Sequence, residues 1–177
     1  MNKRRTWPWA IALTALLSIG ECGAAESLEL KFKGSLHERI CSFEQGEQVQ
    51  EVNLQLQSVK YFEHYGRTAN NPFLVSLTNC SPPTLAKMVQ LTFNGAHTQV
   101  VEGETLLATE GDTGLVLGLT DGKGQAIKLG EAVSAGQITH IGEGALNQFQ
   151  FGVYARAVGA VKAGNYSSTV TIGMAFE

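Results

Sequence analysis

The sequence is poor in cysteine, proline and charge. Three cysteines and four prolines occur among 177 residues, and Asp, Glu, Lys and Arg together make up 16% of the chain. The formal net charge is −3, and no run of Lys or Arg forms a basic patch, so nucleic acid is not an expected partner. No apolar run after residue 25 has the length of a bilayer span, so we expect no membrane insertion of the mature chain.

The sequence also lacks the motifs of the common enzyme classes. It contains no Gly-x-Ser-x-Gly, and Gly142-Glu143-Gly144 lacks the third glycine of a dinucleotide-binding fingerprint. The four histidines (His37, His64, His97 and His140) are scattered singly, without the paired spacing that a copper/zinc site needs. We therefore predict no catalytic residue, no metal and no cofactor, and expect that the chain is not an enzyme.

Residues 1–25 have the pattern of a secretory signal peptide. Lys3, Arg4 and Arg5 precede an apolar run over residues 7–19, and Gly23-Ala24-Ala25 supplies the small residues of a cleavage site. Removing these 25 residues leaves 152, enough for one domain with a hydrophobic core. The signal carries a net +2, so the remainder carries about −5 and is predicted to be exported.

The cysteine count predicts one disulfide bond. Cys22 leaves with the signal peptide, and Cys41 and Cys80 remain. Two cysteines in an exported chain normally pair. A loop of this length would stabilise the domain by about 4 kcal/mol in the chain-entropy model.

Short apolar segments separated by turn residues predict an all-β sandwich or barrel. Strands are predicted at residues 49–56, 73–80, 88–93, 115–119, 126–129, 149–158 and at the C-terminus. Asn94-Gly95 and residues 121–124 are predicted hairpin turns, and residues 61–72 a loop. No amphipathic helix is predicted.

The two ends of the mature chain share a strict alternation of apolar and polar residues. A period of two indicates a strand with one apolar face. At the N-terminal end the alternating positions are Leu28, Leu30, Phe32, Gly34 and Leu36. At the C-terminal end they are Val170, Ile172, Met174 and Phe176.

The order of these features resembles pilin subunits of the chaperone-usher class, as in type 1 and P pili. The resemblance rests on the hydrophobic-x-Phe-x-Gly-x-hydrophobic N-terminal strand, the two cysteines, the FLVSLTNC run before Cys80 and the LNQFQFGVYARA…AG…strand ending. It covers residues 26–177. One departure is Phe176, where the family usually has Tyr.

The resemblance implies an immunoglobulin-like Greek-key sandwich that lacks its final strand. Residues 26–37 would be a donor-strand extension and residues 38–177 the pilin domain, with Val170, Ile172, Met174 and Phe176 facing an acceptor groove. The implied partners are neighbouring pilin subunits, a periplasmic chaperone and an outer-membrane usher. The implied location is a fimbrium, reached through the periplasm, in which the chain is a structural subunit polymerising head-to-tail and supporting cell adhesion.

An alternative interpretation is a self-contained exported β-sandwich that binds carbohydrate. The aromatic cluster YFEHY at residues 61–65 could stack against a sugar ring. In a self-contained sandwich, deletion of residues 26–36 would destabilise the domain itself, whereas in a pilin it would stop polymerisation.

Overall fold

The computed structural model describes residues 40–46 and 48–177. The predicted signal peptide and the predicted donor extension lie outside them. The described part forms a short α-helix, α1 (Val59–Tyr65), a 3-10 turn at Pro82–Thr84 and nine strands. The strands are β1 (Ser42–Phe43), β2 (Asn71–Thr78), β3 (Met88–Gly95), β4 (Thr98–Val101), β5 (Glu104–Ala108), β6 (Leu115–Thr120), β7 (Ala132–Gln137), β8 (Leu146–Ala157) and β9 (Val170–Phe176).

The strands form two antiparallel sheets. The larger sheet has the order β1-β2-β8-β6-β5-β4, and the smaller one the order β7-β3-β9. The chain passes repeatedly from one sheet to the other, since β3, β7 and β9 are separated in sequence by strands of the larger sheet. The prediction of an all-β fold is confirmed, and no helix in the described ranges is long and apolar enough to cross a membrane.

The core lies between the two sheets. On β3, alternate residues Val89, Leu91 and Phe93 have no exposed surface. Phe93 meets Phe151 of the larger sheet edge-to-face, with ring centroids 5.1 Å apart. Each such side chain contributes about 1.5–3 kcal/mol by leaving water, so the period-two pattern of β3 fixes which of its faces joins the core.

Strand β6 is buried on both faces. Leu115, Leu117 and Leu119 belong to the core, while the alternate residue Gly118 lies under the ring of Tyr154. The guanidinium carbon of Arg67 lies 3.8 Å from the centroid of the same ring. Tyr154 therefore packs against both a strand backbone and a cation, and it leaves no room for a side chain at residue 118.

Replacement of Gly118 by Ala is expected to lower the free energy of unfolding by about 1–3 kcal/mol. An added Cβ would overlap Cζ of Tyr154, a buried ring that also contacts the Arg67 guanidinium. Gly173→Ala in β9 is the matched control, because its Cβ would meet Thr92 at an ordinary 3.9 Å. Denaturant unfolding of subunits completed by a peptide of residues 26–37, followed by circular dichroism, measures both variants, and equal stabilities would contradict the packing argument.

Five of the predicted strands are confirmed. They are the segments at residues 73–80, 88–93, 115–119 and 149–158 and the C-terminal strand, which correspond to β2, β3, β6, β8 and β9. Strands β4, β5 and β7 were not predicted. Their residues are mostly exposed or half-buried, so their sequences lack a clear apolar alternation.

The predicted strand at residues 49–56 is wrong, and so is the loop assigned to residues 61–72. Residues 49–56 run without ladder bonds beside β2, held by Gln50 Nε2 donating to the Leu74 carbonyl and Asn71 Nδ2 donating to the Asn53 carbonyl. Within residues 61–72 the structure has most of α1 and the start of β2. The helix is only seven residues long and buries Phe62 alone, so it shows no amphipathic repeat.

The two predicted hairpins are also corrected. Asn94 and Gly95 end β3, and the chain then crosses to the larger sheet instead of pairing back on β3. The turn at residues 121–124 does form, with Asp121 Oδ1 accepting from the amides of Lys123 and Gln125. However, the return segment 126–129 makes a single bridge, between Ala126 and Thr120, and no strand.

Candidate functional site

The last strand, β9, lies at the edge of the smaller sheet. It pairs with β3 from Gly95↔Val170 to Val89↔Phe176, and mutual bonds between Met88 and Glu177 extend the ladder to the last residue. Among the described residues, no strand pairs with its other edge. Unpaired edges of this kind expose a row of backbone donors and acceptors to which another strand can add.

The four apolar residues predicted on this strand share one face. Val170, Ile172, Met174 and Phe176 are all half-buried and packed against the core, while the residues between them are exposed. Val170 and Ile172 also line a groove, and Met174 and Phe176 do not. All four residues of the predicted row therefore contact the core, and only its first two also border the groove.

The groove beside β9, called here the β9 groove, has a volume of about 440 Å³. Residues 168–172 and parts of the segment 43–54 line it, together with inward-facing side chains of the larger sheet. The latter are Phe73, Leu107, Leu117, Leu119 and Val153. They come from β2, β5, β6 and β8, and sequence reasoning did not connect them with the site.

The β9 groove is apolar and carries no charged side chain among its described lining residues. Desolvation raises the pKa of Tyr166, which packs against the core shortly before β9, above its ordinary value of 10.0, so this phenol stays neutral at physiological pH. An apolar groove next to an unpaired strand edge can accept an extended apolar segment that supplies both ladder bonds and side chains.

The segment at residues 48–56 leaves several apolar side chains in water. Val49 is 84% exposed and Leu56 fully exposed, while Leu54 packs against the core. Val49, Val52 and Leu54 line the β9 groove. This segment is thus a groove wall that has no ladder of its own.

A disulfide joins Cys41 to Cys80 at the start of the described domain. Both cysteines are buried, and the Ser81 amide donates to the Ile40 carbonyl at 2.7 Å. Buried Asn147 donates through Nδ2 to the His140 carbonyl and accepts at Oδ1 from the amides of Thr139 and His140. The covalent link fixes β1 beside the end of β2, immediately before the segment that lines the groove.

The remaining candidate residues form no second site within the described ranges. Residues Leu28, Leu30, Phe32, Gly34 and Leu36, predicted as the donor strand, and His37 lie outside the described residues. Within the described ranges, no group of three or more His, Cys, Asp or Glu residues is placed to hold a metal ion. The aromatic residues of the YFEHY cluster do not form one exposed surface, because Phe62 is buried while Tyr65 is 62% exposed.

Comparison with known proteins decides the family. The family model for fimbrial proteins matches residues 30–177. The chain belongs to the fimbrial protein family. This fimbrial subunit is 33% identical over 149 residues to the Major MR/P fimbria protein of Proteus mirabilis, covering 84% of this chain and 83% of the relative. It is 27% identical over 177 residues to the fimbrial adapter PapK of Escherichia coli, covering 95% of this chain and 97% of the relative.

Solved structures support the fold. A chain from the structure of a chaperone-usher pilus matches with a TM-score of 0.61 at 19% identity, covering 87% of this chain and 98% of that one. The resemblance to chaperone-usher pilins and the incomplete immunoglobulin-like fold are therefore confirmed. The protein is a structural pilus subunit that is exported to the cell surface and assembles with neighbouring subunits in a fimbrium.

Proposed function

We propose that the subunit polymerises by donor-strand exchange, in which residues 28–36 of one copy fill the β9 groove of the next. The observation that carries this proposal is the position of β9, an edge strand whose apolar face borders a 440 Å³ groove. The added segment would pair with the edge of β9 and complete the sandwich. Because donor and acceptor are different surfaces, the contact is head-to-tail and builds an open filament.

The proposed donor strand has the chemistry that the groove requires. Leu30, Phe32 and Leu36 would each contribute about 1.5–3 kcal/mol by leaving water, in addition to the main-chain ladder. Gly34, which has no side chain, would let the donor backbone approach its host closely. Lys31 and Lys33 would project from the opposite face, where they stay in solvent.

The same groove explains the need for assembly partners. A subunit that exposes this groove before assembly would aggregate through it, so a periplasmic chaperone lends it a strand and an outer-membrane usher exchanges that strand for the next subunit's extension. Residues 1–25 direct export and are removed, residues 26–37 are the extension and residues 38–177 the acceptor domain. The subunit carries out no catalysis and supports cell adhesion as part of the filament.

Expression of the mature chain with and without a matching chaperone tests the proposal. Alone, the chain is expected to aggregate or be degraded, because its groove lacks a partner strand. With the chaperone it is expected to accumulate as a soluble 1:1 complex, measured by size-exclusion chromatography with light scattering. A stable, cooperatively unfolding monomer without any strand donor would overturn the proposal.

A further inference from the structure

A second, polar cavity lies where α1 meets the start of β2. It has a volume of about 140 Å³, and we call it the amide cup. Its polar lining residues are Gln55, Gln57, Tyr61, Thr68, Asn70 and Asn71, with Leu54 and Ala69 completing it. Four of these are carboxamides, and no charged side chain is among the described lining residues.

Local sequence builds the amide cup from three consecutive pieces of chain. Ser58 caps α1 by accepting from the Tyr61 amide, and Gly66 ends the helix with a φ of 71° that a side chain would disfavour. After Gly66 the chain turns back, so that residues 68–71 line the same cavity as residues 54–57. Buried Phe62 anchors the helix to the core, which places Tyr61 at the cup between the segments 54–57 and 68–71.

Two of the carboxamides are held in fixed orientations. Asn70 Oδ1 accepts from Arg67 Nη2 at 3.1 Å, so Arg67 holds the carboxamide of this lining residue. Asn71 Nδ2 donates to the Asn53 carbonyl at 3.3 Å, which leaves its Oδ1 as an acceptor. Arg67 is itself fixed by stacking on Tyr154. The amide cup thus has carboxamide donors and acceptors in its lining, two of which are held by hydrogen bonds to the surrounding chain.

Tyr61 adds an aromatic surface whose position is also fixed. Its ring centroid lies 4.7 Å from that of Tyr65 and 5.9 Å from that of Phe62, the latter pair edge-to-face. Such contacts hold a ring in place while one side of it borders the cavity.

We propose that the amide cup binds one neutral sugar ring of a glycan. Each sugar hydroxyl both donates and accepts, as carboxamides do, and the C–H face of a pyranose packs on an aromatic ring. Phosphate and sialic acid are disfavoured because the described lining offers no cationic side chain to pair with their negative charge. The volume of the cup is well below the roughly 300–1,000 Å³ of sites for drug-sized ligands, so it accommodates a single ring.

The amide cup is distinct from the β9 groove. Within the described chain, Leu54 is the one residue that lines both cavities. Substitutions at Tyr61 and Asn70, which neither line the β9 groove nor belong to β9, are therefore expected to leave filament assembly unchanged, and sugar binding can be tested on intact filaments.

Saturation-transfer NMR on purified filaments tests the proposal. The probes are methyl α-mannoside, methyl β-galactoside, N-acetylglucosamine and N-acetylgalactosamine, with sialic acid as the charged comparator. At least one neutral probe is expected to bind wild-type filaments. Tyr61→Ala is expected to abolish that signal, while Glu63→Ala, at an exposed position of α1 that does not line the cup, preserves it.

Asn70→Asp provides a variant that preserves the fold. The aspartate keeps the acceptor for Arg67 but loses the Nδ2 donor, so sugar affinity is expected to fall about tenfold or more without loss of filaments. The proposal is overturned if no neutral probe binds, if only sialic acid binds, or if Tyr61→Ala and Asn70→Asp filaments bind as well as Glu63→Ala filaments.

Discussion

Phe32→Asp is expected to abolish filament formation while leaving the subunit folded, whereas Ile172→Asp is expected to prevent the subunit from accumulating. The two substitutions place the same charge on opposite sides of one proposed contact. Phe32 belongs to the donor strand, so its loss disables donation but leaves the groove able to accept. Ile172 lines the β9 groove, so its loss disables acceptance of any strand, including that of a chaperone.

The position of Ile172 makes the second effect severe. Ile172 lies opposite Phe93 in the β3–β9 ladder, is half-buried and packs against the core. Substitution by Asp removes about 1.5–3 kcal/mol of apolar burial. In addition, it leaves a carboxylate facing an apolar groove with no described cation, a cost of several kcal/mol when a donor strand excludes water.

The chain offers a matched control for each variant. Lys33→Asp adds an acidic residue to the polar face of the same donor strand, and Ala175→Asp adds one to the exposed face of β9. Both controls are expected to assemble filaments, counted by electron microscopy. Co-expressed with the chaperone, Phe32→Asp should accumulate as a soluble complex and Ile172→Asp should not. Filaments from Phe32→Asp subunits would refute the assignment of residues 28–36 as the donor.

Strands β9 and β3 were predictable because their apolar residues repeat with a period of two. In β9 the four alternating residues Val170, Ile172, Met174 and Phe176 do share one face, and β3 follows the same rule. Residues 49–56 also alternate, yet they form no strand. Alternation indicates that a segment has an apolar face, but it does not indicate whether a neighbouring strand is available to pair with its edge.

The composition of the groove was beyond what the sequence could show. Its inner side is made by Phe73, Leu107, Leu117, Leu119 and Val153, which come from four strands. Their meeting depends on the strand order of the larger sheet, where β2, β8, β6 and β5 are neighbours. Local patterns do not encode this order, because each strand would look the same in another arrangement. The amide cup was missed for a related reason, since its polar residues resemble an ordinary loop.

The double substitution Cys41→Ala/Cys80→Ala is expected to lower the free energy of unfolding by about 4 kcal/mol. The disulfide closes a loop with a sequence separation of 39, and the chain-entropy model gives about this value for such a loop. Domains of this size are stable by about 5–15 kcal/mol, so the loss is a large part of the total. Denaturant unfolding of the subunit completed by a peptide of residues 26–37 measures it.

The disulfide is also expected to support the groove itself. It fixes β1 beside β2 just before the segment 43–54, which lines the β9 groove but has few backbone bonds to hold it. Ser81→Ala is the local control, because Ser81 Oγ is buried without a hydrogen-bond partner in the described chain and its removal costs little. The double-alanine subunit should therefore also release a bound 26–37 peptide faster than wild type. An unchanged rate of peptide release would contradict a role of the disulfide in the groove. The disulfide would then stabilise the domain only by restricting the unfolded chain.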